Sequence, residues 1–297
     1  MTIVLSQIFN GLSLSSILLL IALGLSITFG IMGVINFAHG EFLMIGAYTA
    51  YVLQKLSIAN SGGSLFLLSL PAAFVVAALI GLLLERSLIR FLYGRPYESI
   101  LATWGLSLIL QQLARNIFGA NNVEVASPGW LQGGLTVMEG LQLPYNRLFI
   151  MAVAVLCVSG MYFYLYRTRS GRRIRAVMQN RQMSACMGIK TNRVDAMTFA
   201  IGCGLAGIAG AAVSLLGSIG PSTGQNYIID AFMVVVLGGV GRLSGTIAGA
   251  IMIGTMSPLF EFVTTSSMGK VIVFALVIIF LQWRPSGFFT LKTRTVD

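Results

Sequence analysis

Ile35-Asn36-Phe37-Ala38-His39-Gly40-Glu41 is the stretch that decides the fold. It separates residues 8–34, almost wholly apolar, from an apolar run that resumes at 42–53. It holds the only histidine of the chain and one of its nine acidic residues. Ionisable groups at membrane depth are costly and usually face protein or a water-filled path. Non-helical backbone at that depth is tolerated only when buried in protein or lining a cavity. The stretch therefore predicts an integral membrane protein with a broken helix, and broken helices are one way to build a solute path.

Composition agrees. The chain has 297 residues, 56% hydrophobic and 9% charged, with mean hydropathy +0.87. A soluble domain carries about 25% charged residues. The predicted class is all-α: one polytopic transmembrane helical bundle over residues 1–297, with about eight to nine membrane segments including broken or re-entrant helices. The opening MTIVLSQIFNGLS lacks a basic region and a small-residue cleavage site, so it reads as the start of the first span. Cys157, Cys186 and Cys203 have no metal-ligand spacing and read as small hydrophobes.

Apolar windows place spans near 8–31, 41–56, 64–84, 99–118, 147–166, 194–217, 229–241, 245–263 and 270–283. The seventh is too short to cross a core of about 30 Å as one helix, so a tilted or re-entrant segment is expected there. Charge sets the orientation. With the N-terminus outside, only Lys55, Arg115, Arg147 and Lys270 of the nineteen basic residues face outward. Positive charge accumulates on cytoplasmic loops, so the N-terminus is expected outside and the C-terminus, with Lys292 and Arg294, inside. The net charge of +10 then faces anionic lipid and calls for no nucleic acid.

Residues 119–146 form the longest outer connection. Asn121-Asn122, Ser127-Pro128-Gly129, Gly133-Gly134 and Pro144 are turn signals, while Trp130, Leu131 and Leu135 predict a compact lid. It reads as an inert connector or a platform for an extracytoplasmic partner. Gly33–Gly40 and Gly238–Gly245 share glycines seven apart between apolar runs. They predict an internal repeat in which both turns face inward and both following spans run outward.

Three clusters carry candidate chemistry. Asn36 and His39 are three apart and would share a face of a continuing helix, with Glu41 pointing elsewhere. They line a pathway or are satisfied structurally. Thr103, Ser107 and Gln111 are four apart on one helical stripe, which bridges helices or lines a polar path. Residues 171–188 are too polar to span, with Ile174, Val177 and Met178 as an apolar stripe and Arg172, Arg173, Arg175 and Gln179 opposite. The flanking glycines favour a helix docking into a cytoplasmic partner over one lying on lipid. Gly202, Ala206 and Gly210, with Cys203, Gly207 and Ala211, make small-residue faces for close helix packing. No phosphate-binding loop or HExxH is present, and Glu41, Asp195, Asp230 and Glu261 fall near span ends. Energy for active transport would thus come from another subunit or from an ion gradient, and so few buried carboxylates weigh against the gradient.

Together Ile35–Tyr48, Gly171–Gly188, Met187-Gly188-Ile189 and Val236–Gly249 resemble the permeases of branched-chain amino acid-type ABC importers, along essentially the whole chain. Within that family Leu101–Gln112, Phe118–Ala126 and Gly220–Asp230 resemble the first permease subunit of the urea and short-chain amide branch. The resemblance implies a bacterial inner-membrane heterodimer with a second permease, two cytoplasmic ATPases that bind ATP and Mg, and an extracytoplasmic substrate-binding protein. The permease itself is expected to be neither an enzyme nor a cofactor carrier. The resemblance places the coupling helix within 171–188, with Arg172, Arg173, Ile174, Arg175, Val177, Met178 and Arg181 as its contacts. A path for urea needs amide and hydroxyl groups, which Asn36, Thr103, Ser107, Gln111 and Asn226 would supply, with the imidazole of His39 also on the path. The alternatives are a permease for branched-chain or other amino acids, and a passive channel for small neutral solutes.

Overall fold

The structure, a computed structural model, describes residues 2–33, 36–57, 66–138, 141–285 and 287–289. Val34 and Ile35 of the break, the start of the expected third span, Glu139 and Gly140 of the outer connection, and Lys292 and Arg294 lie outside the described residues. Among those described, the chain forms eleven α-helices: α1 (Thr2–Met32), α2 (His39–Ser57), α3 (Phe66–Ser87), α4 (Pro96–Phe118), α5 (Tyr145–Arg167), α6 (Arg169–Gln179), α7 (Arg181–Cys186), α8 (Thr191–Val213), α9 (Thr223–Gly238), α10 (Leu243–Val263) and α11 (Ser266–Trp283). An antiparallel hairpin of β1 (Gly134–Met138) and β2 (Leu141–Pro144) sits between α4 and α5. The polytopic helical bundle expected from the sequence is what the chain forms.

Five helices, α1, α3, α5, α8 and α10, are long and apolar enough to cross a membrane by themselves. α8 is the central one: 78% of its most apolar window is buried, against 22% for α3. Its small residues explain why. A Cβ on Gly207 would overlap Ala73 and Ala77 of α3, and one on Gly210 would overlap the Leu43 carbonyl of α2. Such close approach replaces the hydrophobic drive that lipid removes. Leu79 and Leu83 of α3, Leu108 and Ile109 of α4, and Leu156 and Phe163 of α5 are exposed. They form the apolar outer belt that a bilayer requires.

α2 and α9 begin halfway through the bundle. α9 has 16 residues, about 24 Å at 1.5 Å per residue, which falls short of a bilayer core of about 30 Å. A Cβ on Gly40, in the first turn of α2, would overlap the Gly224 carbonyl in the first turn of α9, and the reverse holds. Beside this contact, Gly24 of α1 opposes Gly202 of α8 in the same reciprocal way. Gly202 is the middle residue of α8, so the N-termini of α2 and α9 meet at mid-depth.

From the crossing the two helices diverge. α2 follows α8 toward its C-terminal end, with Phe42 on Phe199 at 6.0 Å and Ala50 in one cluster with Leu215. α9 follows α1 toward its C-terminal end, with Phe29 beside Phe232 at 6.4 Å and Gly30 against Gly241. The chain therefore re-enters the bundle between α1 and α2 and again between α8 and α9.

This corrects the expected repeat. The matching breaks lie after α1 and after α8, and the two units run in opposite senses. Gly238 and Gly245 serve another purpose: each would clash with the other's backbone if it carried a Cβ. They let α9 and α10 close around a turn in which Gly239 and Gly241 adopt φ of 94° and 77°.

Candidate functional site

The break is built from backbone capping. Gly33, at φ 61°, ends α1 and donates its N–H to the Phe29 carbonyl at 2.9 Å. Asn36 then starts α2: its side-chain oxygen accepts from the Ala38 N–H at 3.0 Å, and its carbonyl accepts from the His39 N–H at 3.2 Å. Thr103 of α4 accepts the neighbouring Phe37 N–H at 3.3 Å. Asn36 and Thr103 thus satisfy donors that a helix start leaves open.

Glu41 is the centre of the site, although the sequence reading placed it on another face. One oxygen, Oε1, accepts from Ser107 Oγ and from Gln111 Nε2, both at 2.8 Å, while Gln111 also donates to Ser107 at 3.1 Å. The Thr103/Ser107/Gln111 stripe therefore presses its polar edge onto the first turn of α2. Phe118 extends that contact along α2 by stacking on Tyr48 at 4.2 Å. The site is closed in this conformation: Asn36, Glu41, Thr103, Ser107 and Gln111 are each at most 5% exposed. Two polar atoms in it, Glu41 Oε2 and Asn36 Nδ2, are buried without a partner among the described residues. Buried polar atoms are rarely left so. One acceptor and one donor remain available at mid-depth.

Two expected members lie elsewhere. His39 is fully buried, its ring 6.3 Å from Phe42 and wedged against Gly24 at the α1–α8 crossing. The break resets helical phase, so His39 turns into the core while Glu41 turns toward α4. Asn226 lies on the exposed face of α9, away from the cluster.

A second polar group forms at the α6 end of the bundle. Arg181 donates to the buried carboxylate of Asp195 at 2.6 Å and lies over the Tyr93 ring at 5.2 Å. Tyr93, in the link between α3 and α4, donates to Glu85 at 2.8 Å. Burial, then the Glu85 charge, pushes the Tyr93 hydroxyl far above the usual tyrosine range, so it remains a donor. This group ties α7 and α8 to the segment that leads into α4.

The segment 171–188 departs from the sequence reading in two ways. It forms two helices, because Asn180 ends α6 and caps α7 by accepting from the Met183 N–H at 2.9 Å. Its apolar stripe also points inward. Ile174 and Val177 are 3% and 2% exposed and pack with Leu165, Phe199 and Cys203, and Met178 reaches Gly30 of α1. The bundle itself fills the role expected of a partner's groove. Arg172, Arg173 and Gln179 remain exposed, Arg175 lies over Tyr166 at 4.7 Å, and Met183 and Met187 are the exposed apolar residues of this region. A groove of about 640 Å³ between α6, α7 and α8 is lined by Arg173, Met187, Lys190 and Arg193.

Of the three stretches likened to the urea branch, two meet the first turn of α2 and the third lies at the α8–α9 connection. Leu101–Gln112 supplies the donors to Glu41. Val123, within Phe118–Ala126, pairs with Ile219 at 2.8 Å in both directions. Gly220–Asp230 carries the first turn of α9 that rests on Gly40.

Residues 7–281 match the family model described as branched-chain amino acid transport system / permease component. The high-affinity branched-chain amino acid transport system permease protein BraD of Pseudomonas aeruginosa is 32% identical, over 95% of this chain and 94% of that protein. LivH of Escherichia coli, another high-affinity branched-chain amino acid permease protein, is 31% identical over the same shares. The ribose import permease protein RbsC of Escherichia coli is 26% identical over 92% of this chain and 84% of its own length. No solved structure matches the chain. With a match across nearly the whole bundle, this chain belongs to the family of branched-chain amino acid transport system permease components.

Proposed function

We propose that this chain is the membrane-spanning permease of an ATP-driven importer for small polar solutes. Branched-chain amino acids lead as substrate, because BraD and LivH are named for them. The observation that carries the transport reading is the unclaimed acceptor and donor of Glu41 and Asn36 at the meeting of two half-length helices. An N–H group of the solute would bind Glu41 Oε2, and a carbonyl oxygen would accept from Asn36 Nδ2. Movement of α4 away from α2 would uncover both. The end bearing α6 is cytoplasmic in this reading, since the exposed arginines gather there. A partner ATPase would seat on Met183, Met187 and the groove edged by Arg173 and Arg193.

Urea and short amides are a second reading, supported by the urea-like stretches Leu101–Gln112 and Gly220–Asp230, which meet Glu41 and Gly40. Uptake of labelled leucine and labelled urea by the reconstituted complex, with ATP on the α6 side, tests both. ATP-dependent leucine uptake supports the first reading, and urea uptake alone supports the second. Uptake that persists without ATPase subunits would instead make the chain a passive channel.

A further inference from the structure

A cavity of about 410 Å³ opens at the end of the bundle opposite α6, between α1, α5, α9 and α10. Arg147, at the start of α5, lines one part of its wall, and Glu261, near the end of α10, lines another. Neither has an ion-pair partner among the described residues, although Arg147 bonds Asn10 of α1. Both are only partly exposed. Two groups of opposite charge, neither ion-paired, line one cavity, and this suits a ligand that carries both signs. The rest of the wall is mixed: Leu14, Leu216 and Phe262 are apolar, while Gln7, Asn10 and Ser13 of α1 are polar.

We propose that this cavity is an entry site for an amino acid zwitterion with an aliphatic side chain. Arg147 takes the carboxylate through its planar guanidinium, Glu261 takes the ammonium, and the apolar part of the wall takes the side chain. The inference rests on the amino acid reading of the permease and adds a site to it. Its position explains a sequence anomaly: Arg147 is one of few basic residues at this end, and the only one of them in the cavity wall. Tyr227 also lines the cavity. It lies three residues beyond Gly224, which touches Gly40, so the cavity leads toward the mid-depth crossing.

The test uses the full complex, with labelled leucine uptake and competition by leucinol, which lacks the carboxylate, and 4-methylpentanoate, which lacks the ammonium. Arg147→Met should weaken leucine by about tenfold to a hundredfold, the value of one charge-assisted contact, and leave leucinol unchanged. Arg147→Lys should recover part of the loss. Glu261→Gln should weaken leucine and leave 4-methylpentanoate unchanged. Equal weakening of all three ligands, or none, in a complex that imports leucine would overturn the cavity assignment alone. A wild-type complex that takes up no leucine would overturn the amino acid reading and the cavity assignment with it.

Discussion

Gln111 and Ser107 place two donors at 2.8 Å from one oxygen of Glu41, and the strength of that cluster can be measured by a double-mutant cycle. Hydrogen bonds between membrane helices average about 0.6 kcal/mol, whereas a bond to a charged group contributes about 1.5–3 kcal/mol. Gln111→Leu removes the bond to Glu41 and the 3.1 Å bond to Ser107, at an expected cost of about 2 kcal/mol. Glu41→Leu strands the Ser107 hydroxyl and the Gln111 amide. They can still bond each other, which holds the cost to about 2 kcal/mol. The double variant strands only Ser107, so it should cost about 2 kcal/mol and not the sum of about 4. The coupling energy is then about 2 kcal/mol, well above the interhelical average. Reversible unfolding of the purified permease in mixed micelles gives all four stabilities. Additivity within about 0.5 kcal/mol would refute the bond and leave Gln111 as a side chain facing an open path.

Gly40→Val should lower the yield of folded permease sharply, because its side chain would meet the Gly224 backbone, and overpacking costs about 1–3 kcal/mol or more; Gly105→Ala, with open space around it, should be neutral or stabilising by up to about 1 kcal/mol, and thermal unfolding of both variants checks the contrast. Val177→Asp should prevent folding by burying a charge, whereas Met183→Asp should leave a folded permease that no longer co-purifies with the ATPases proposed as its partners; the opposite pattern would restore the outward stripe. Arg181→Met should destabilise by about 1–3 kcal/mol, since it removes the partner of the buried Asp195 carboxylate from a half-exposed pair, and adding Asp195→Leu should recover most of that loss in the same unfolding assay.

Helix formation in lipid depends on local properties, and these are written in the sequence. Runs of apolar residues must satisfy their own backbone, so nine of the helices were legible to within a few residues at most ends. α1 and α9 are the main exceptions, each starting six residues before the expected span, at Thr2 and Thr223; in α9 the reason is that Gly224, Gln225 and Asn226 are too polar to read as membrane helix. The i, i+4 spacing of Thr103, Ser107 and Gln111 likewise announced one polar edge. Periodicity does not say what such an edge meets. Ile174, Val177 and Met178 were correctly read as a stripe that needs cover, yet only the packed bundle shows α5 and α8 supplying it. Glu41 was missed because helical phase was carried through residues 33–38, and a break with Gly33 in the left-handed region erases that phase. The inverted relation of α1–α2 to α8–α9 was also beyond the sequence. It rests on two reciprocal glycine contacts, Gly24 with Gly202 and Gly40 with Gly224, between residues far apart along the chain. Glycine is common here, and which glycines touch is settled only when the backbones close on one another.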